Sequence, residues 1–137
     1  MSKQRPWYPA LNPTDYLKIA DELTSRSESS AIRTAADRAY YAAFLTCRDR
    51  LAEKDYFTPT YSSDDHLNLT SALRREEILG SYGNEELRLR RARNCVTYVT
   101  DDISSANKDA CPLHWMLATA REIISRVEAL PHRSQKS

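Results

Sequence analysis

Apolar residues recur along this chain at spacings of three and four positions, the pattern of helices that bury one face. The first such segment begins at Asn12, a capping residue followed by a proline suited to a first helical turn, and runs to about Thr24. Its apolar positions are Tyr16, Ile19, Ala20 and Leu23. A Ser-rich loop follows, and a second helix is predicted from about Ser30 to Lys54.

Three further helices complete the pattern. Helix three is predicted to begin with Ser63 as its cap and to close at Gly80, and helix four to begin with Asn84 as its cap. Helix five is predicted to open at Pro112 and to stop at Pro131. These five amphipathic helices, with no credible strand, predict an all-α fold, and the short connections favour an antiparallel bundle.

Length and composition favour one small domain inside the cell. We expect a single domain over residues 1–137, with its core at about 12–130, an irregular N-terminal segment and a flexible C-terminal tail. The formal net charge is +1, so any basic surface must be local. Three cysteines without a Cys-x-x-Cys pair, no apolar run long enough for a bilayer and no signal-peptide core predict a cytoplasmic protein without a membrane partner.

The most distinctive segment is Arg33-Thr-Ala-Ala-Asp-Arg-Ala-Tyr-Tyr-Ala-Ala-Phe44, in the second helix. Its alanines favour helix and leave little bulk, so we expect other helices to pack closely on it. Tyr40 falls on the apolar side, and we expect a buried ring whose hydroxyl reaches a polar partner. Arg33 and Asp37 are four positions apart and are spaced to pair across one helical turn.

The predicted fourth helix carries four arginines, Arg88, Arg90, Arg91 and Arg93. At about 100° per residue, Arg91, Asn94 and Tyr98 fall on one strip, with Arg90 and Arg93 on a neighbouring one. One interpretation is a solvated face, neutralised by acids such as Glu85, Glu86 or Asp101. The other is a surface that binds RNA phosphate, because a guanidinium offers phosphate two hydrogen bonds at once. No pair of His or Cys has metal-ligand spacing, so we expect no metal and no other cofactor.

Two of these segments resemble the HEPN family of small all-helical domains. Arg38-Ala-Tyr-Tyr-Ala42 is similar to the pattern on the family's central helix, and Arg93-Asn94 to the start of its catalytic signature, Arg-x4-6-His. The histidine of that signature would fall at positions 98–100, where this chain has Tyr98, Val99 and Thr100. His66, beside two acids near the start of helix three, is either a surface residue or the group that replaces the missing histidine.

The resemblance implies a protein that acts on RNA or binds it, as a metal-independent ribonuclease of a defence or toxin–antitoxin system. It implies a homodimer with a composite cleft, and a cognate antitoxin or a nucleotidyltransferase as a possible partner. Arg93 would bind the phosphate and Asn94 would orient it, with Tyr98 or His66 as the proton-transfer group. The further RNA-binding candidates are Arg38, Tyr41, Arg88, Arg90 and Arg91. The alternative is a non-catalytic helical dimerisation or adaptor module that binds a protein partner.

Overall fold

A computed structural model describes residues 5–76 and 79–133 of the chain. Over these residues the protein has five α-helices and no strand, which confirms the predicted all-α bundle. The helices are α1 (Asp15–Leu23), α2 (Ser29–Glu53), α3 (Asp64–Arg75), α4 (Gly80–Tyr98) and α5 (Leu113–Glu128). Within this part of the chain, no helix combines the length and the apolar character needed to cross a membrane.

The central element is α2, which packs against all four other helices. Its alanines at positions 35, 36, 39, 42 and 43 are buried, as the sequence predicted, and they let the neighbouring helices approach closely. Tyr40 and Leu51 are fully buried on the same helix. The core therefore surrounds α2, and side chains along its length meet residues from every neighbouring helix.

The helices α4 and α5 run antiparallel. Between α4 and α5, the Tyr82 hydroxyl donates to the Glu122 carboxylate at 3.0 Å, and the Arg88 guanidinium lies 4.4 Å from the centroid of the Trp115 ring. The start of α4 thus lies beside the middle of α5, and the middle of α4 beside the start of α5. This arrangement is the one that the short connections predicted.

The pair α2 and α5 is parallel instead, because their C-terminal ends meet. The Lys54 ammonium, just past α2, donates to the backbone carbonyls of Val127 at 2.9 Å and Glu128 at 2.8 Å. These carbonyls lie in the last turn of α5, where a cation interacts favourably with the helix C-terminus.

Arg33 ties the start of α2 to the end of α4. Its guanidinium donates to the backbone carbonyls of Val96 at 3.1 Å, of Val99, and of Asp101 at 2.9 Å. The predicted pairing of Arg33 with Asp37 is therefore wrong. Carbonyls left free at a helix end offer several acceptors in one place, and the local carboxylate has other partners.

The start of α4 also differs from the prediction. Gly80 opens α4 rather than closing α3, and Asn84 lies inside the helix, where its side-chain oxygen accepts a hydrogen bond from Arg74 at 3.0 Å. The reason is close helix packing at Gly83. A Cβ atom there would lie 3.1 Å from the Arg74 backbone nitrogen and 3.2 Å from the Thr70 carbonyl oxygen. Only a residue without a side chain admits this approach between α3 and α4.

Ile19, which was predicted to face the core, is exposed, and so are the apolar residues Ile32 of α2 and Leu67 of α3. The apolar positions recur with the helical period, but not all of them are buried. Residues 5–12 form neither helix nor strand. Most of the predicted C-terminal tail lies outside the described residues.

Candidate functional site

Aromatic rings from α2 and α3 form a cluster around His66. The imidazole stacks on the Phe44 ring, with centroids 4.0 Å apart and planes 12° from parallel. Its Nδ1 atom is hydrogen-bonded to the hydroxyl of Tyr40, which is fully buried, while His66 itself is half-buried. The expectation that Tyr40 would be buried with its hydroxyl on a polar partner is confirmed, and that partner is the histidine.

Arg93 from α4 contacts Tyr40 and the adjacent Tyr41. Its guanidinium carbon lies 4.9 Å from the Tyr41 ring centroid and 5.9 Å from that of Tyr40. Its Nη2 donates to the Tyr41 hydroxyl at 2.6 Å, and Nη1 donates to the Asn94 side-chain oxygen at 2.9 Å. Its Nε donates to the Asp37 carboxylate at 3.1 Å. Arg93 is thus paired with an acid of its own chain.

Arg38 joins this arrangement through the same carboxylate. Its Nε donates to Asp37 at 3.0 Å, and its guanidinium carbon lies 4.7 Å from the Tyr16 ring and 5.5 Å from the Tyr41 ring. An open groove runs along these side chains, lined by Tyr16, Asp37, Arg38, Tyr41, Leu45 and Arg93. Asp37 therefore pairs with two arginines, whereas the spacing on α2 alone suggested Arg33 as its partner.

The surroundings of His66 keep its ring neutral. Burial, followed by the positive charges of Arg90 and Arg93, lowers the pKa of His66, and the Asp65 carboxylate opposes this only in part. A histidine with a lowered pKa is neutral at neutral pH, and one of its two ring nitrogens carries no proton. The cluster thus combines a neutral base with guanidinium groups.

Arg90 is the arginine of this cluster without a partner. In the part of the chain that the structure describes, its side chain forms no ion pair and no side-chain hydrogen bond, although it is half-buried. Its positive charge lowers the pKa of His66 more than the charge of Arg93 does. Its position supplies positive charge near the histidine.

The other candidates on α4 lie apart from this cluster. Arg88 faces α5, with a nitrogen 3.9 Å from the Glu85 carboxylate. Arg91 and Tyr98 are exposed and line a separate shallow depression together with Asn94. The Tyr98 side chain, 73% exposed, makes no hydrogen bond or ring contact with any described residue. Of the two predicted proton-transfer groups, only His66 lies in the cluster that contains Arg93.

Glu86 has an environment that the sequence pattern did not predict. It is fully buried, one carboxyl oxygen is hydrogen-bonded to the Thr70 hydroxyl, and the other oxygen has no partner among the described residues. Burial raises the pKa of Glu86 to about 7, although Thr70 and two nearby arginines act in the opposite direction. Its place three positions before Leu89, on the apolar stripe of α4, is the signal that could have revealed its burial.

No protein-family model, curated protein or solved structure matches this chain. Over the residues that the structure describes, the fold and the site define a bundle of five helices in which a neutral histidine, two tyrosines and arginines share one cluster. Among the described residues, no group of three or more His, Cys, Asp or Glu side chains could hold a metal ion.

Proposed function

We propose that this chain is a HEPN-like protein that binds RNA and cleaves it without a metal ion, with the cluster on α2, α3 and α4 as its active site. The observation that carries the proposal is the meeting of His66 and Arg93 at the Tyr40–Tyr41 pair. A base, a hydroxyl donor and guanidinium groups are the parts that metal-independent cleavage of a phosphodiester requires.

In the proposed reaction, His66 accepts the proton of a ribose 2′-hydroxyl. The 2′-oxygen then forms a bond to the adjacent phosphorus, and the bond from phosphorus to the 5′-oxygen breaks. The Tyr41 hydroxyl accepts a hydrogen bond from Arg93 and so keeps its own proton to donate to the leaving 5′-oxygen. The products are a 2′,3′-cyclic phosphate and a 5′-hydroxyl.

The arginines have different roles in this proposal. Arg90, with no ion pair, supplies the first contact to the phosphate and stabilises the charge that develops on it. Arg93 orients Tyr41 and Asn94, and it contacts the phosphate when the RNA competes with Asp37 for its guanidinium. Arg38 extends the basic groove next to Tyr41, where it meets the neighbouring phosphate of the strand.

The wider setting is part of the proposal. A cytoplasmic homodimer in a defence or toxin–antitoxin system, with an antitoxin or nucleotidyltransferase as partner, is what the HEPN-like motifs suggest. The exposed Arg91 and Tyr98 lie on the same face of α4 and are free for a second subunit or such a partner. The mass of the protein in solution at micromolar concentration tests this part, and a monomer contradicts it.

Incubation of the purified protein with mixed RNA in EDTA tests the cleavage. We expect the wild type to cleave, and His66→Gln and Arg90→Gln to lose cleavage. Matched controls are His114→Gln and Arg126→Gln, which change an exposed histidine and an exposed arginine on α5. No cleavage by the wild type, or equal cleavage by His66→Gln, contradicts the proposal.

A second candidate is a non-catalytic module that binds a protein partner through its helices. The ion pair between Arg93 and Asp37, 3.1 Å long and within one chain, favours it because it neutralises part of the basic groove. The two candidates differ in the salt dependence of RNA binding. Phosphate contacts make log affinity fall steeply with log salt, whereas the module would show a flat response or no binding.

A further inference from the structure

The connection between α2 and α3 holds an aromatic side chain out into solvent. The residue is Tyr61, which is 74% exposed. Its backbone φ angle is 58°, in the left-handed region that bulky side chains rarely adopt. Such a conformation is costly, and it persists only where the surrounding structure enforces it, which is common at functional sites.

The buried carboxylate of Asp65 enforces this conformation. One of its oxygens accepts hydrogen bonds from the Thr60 backbone N–H at 2.8 Å and from the Thr60 hydroxyl at 2.7 Å. The other oxygen accepts from the Tyr61 backbone N–H at 2.8 Å. Asp65 is only 1% exposed, so little water competes for these hydrogen bonds. The backbone of the connection is thus fixed from inside, while the Tyr61 side chain stays outside.

The Tyr61 ring is also held on one side by Arg48 of α2. The guanidinium carbon of Arg48 lies over the ring, 5.0 Å from its centroid. Arg48 is half-buried, and its Nε donates to the Asp49 carboxylate at 3.0 Å, which limits the movement of the guanidinium. Because Arg48 covers one face of the ring, the exposed surface of Tyr61 is the other face and the edges.

This ring is next to the cluster around His66. Asp65, which anchors the connection, directly precedes His66 in α3. On α2, Arg48 follows Phe44 by four positions, so the two side chains lie on the same face, about 6 Å apart along the helix axis. Since Phe44 stacks on His66 and Arg48 covers Tyr61, the two stacked pairs are neighbours along one face of α2.

We propose that Tyr61, supported by Arg48, is a stacking site for an unpaired RNA base that flanks the phosphate cleaved at His66. An aromatic ring can stack on any base, and a guanidinium beside it adds positive charge for the strand. A ring that is fixed before RNA binds avoids the cost of ordering a loop during binding, and the hydrogen bonds to Asp65 fix it. The inference rests on the proposed function, because it assigns Tyr61 to the same RNA strand.

The binding of two strands that differ only in their bases tests the inference. The first is a 2′-O-methyl oligonucleotide, which has no free 2′-hydroxyl and is therefore not cleaved. The second has the same backbone and charge but lacks the bases. We expect Tyr61→Asn to lose about 5- to 150-fold in affinity for the first strand and to bind the second as the wild type does.

The substitution removes the ring without straining the connection, because asparagine tolerates the left-handed region. The slope of log affinity against log salt should stay unchanged, since no phosphate contact is lost. Tyr61→Phe, which keeps the ring, should bind both strands as the wild type does. So should the matched control Tyr8→Asn, which removes a tyrosine that is 87% exposed in the N-terminal segment.

Unchanged affinity of Tyr61→Asn for the first strand would overturn the inference. An equal loss for both strands would also overturn it, because it would show that Tyr61 supports the fold of the site and does not contact a base. Failure of the proposed function gives different results. A wild type that binds neither strand refutes RNA binding and the inference together. A loss in Tyr61→Asn confined to the first strand, without cleavage of unmodified RNA by the wild type, supports the inference and refutes only the cleavage.

Discussion

The hydroxyl of Tyr40 and the Nδ1 atom of His66 are hydrogen-bonded across two helices, although the residues lie 26 positions apart in the chain. The bond fixes the orientation of an imidazole that also stacks on Phe44 at 4.0 Å between centroids. A histidine held on two sides, with charged arginines nearby, has little freedom to reorient. This preorganisation favours proton transfer at a fixed position.

Removal of the charge of Arg90 should weaken RNA binding. We expect Arg90→Gln to lower the affinity and to reduce the slope of log affinity against log salt by about 0.7 for each phosphate that the variant no longer neutralises. Fluorescence anisotropy with a single-stranded RNA at several salt concentrations measures both quantities. Arg126→Gln, which removes an arginine paired with Glu122 at 3.2 Å on α5, should change neither. An unchanged slope in Arg90→Gln would exclude a phosphate at this arginine.

Removal of the charge of Asp37 should strengthen RNA binding. Asp37→Asn leaves Arg93 and Arg38 without their carboxylate, so we expect tighter binding and a steeper salt dependence. The same change should cost about 1–3 kcal/mol of folding free energy, because it removes charged hydrogen bonds from a partly buried site. Chemical denaturation measures the second effect. Weaker RNA binding by folded Asp37→Asn would show that Asp37 supports the site rather than competing with RNA.

Glu86 should make the folded protein less stable as the pH rises. Its pKa is raised from the usual 4.5 to about 7, so the folded state holds this proton more tightly than the unfolded state. The stabilisation is complete below about pH 4.5 and is lost as the pH rises to about 7, a change on the order of 3 kcal/mol. Relative to the wild type, Glu86→Gln should therefore be more stable at pH 8 than at pH 4.5.

Urea denaturation of the wild type and Glu86→Gln at both pH values measures this difference. His66 also titrates in this range, because its pKa is lowered from 6.5. It therefore adds stability as the pH rises towards 6.5. This contribution is the same in the wild type and in Glu86→Gln, so it does not affect the difference between them. A difference between the two proteins that does not vary with pH would mean that Glu86 titrates in its usual range.

The two glycines of α4 should respond differently to alanine. A Cβ atom at Gly83 would lie 2.5 Å from the Arg74 Cγ atom and 3.2 Å from the Thr70 carbonyl oxygen, so Gly83→Ala should cost about 1–3 kcal/mol by forcing α3 and α4 apart. At Gly80 the nearest atom would be 3.8 Å away, and Gly80→Ala should be neutral or slightly stabilising. Thermal unfolding of both variants tests this contrast, and equal midpoints would contradict it.

The helices could be predicted from the sequence because the helical period and the cap residues are local signals. The buried alanines of α2 and the buried ring of Tyr40 follow from the same signals. The start of α4 could not be predicted. The close approach of α3 permits a helix through Gly83, and that tertiary contact outweighs the preference of Asn84 for a cap.

The partners within the site were harder to predict from the sequence. Helix geometry places Arg93 and Tyr98 on adjoining strips, but it does not say which strip meets α2. Arg33 and Asp37 had the right spacing to pair, yet each found partners on α4 or just beyond it. No spacing in the sequence indicates that His66 lies near Arg93. The two residues come together because α3 packs against α2, which brings the histidine to the tyrosines.

Chemical rescue of a His66→Ala variant tests the central claim most directly. The variant leaves a space beside Phe44 and Tyr40 that a free imidazole can occupy. With RNA in EDTA, we expect the wild type to cleave, His66→Ala to be inactive, and added imidazole to restore cleavage to His66→Ala but not to Arg93→Ala. Cleavage by His66→Ala at the wild-type rate, or no cleavage by the wild type, would contradict the account.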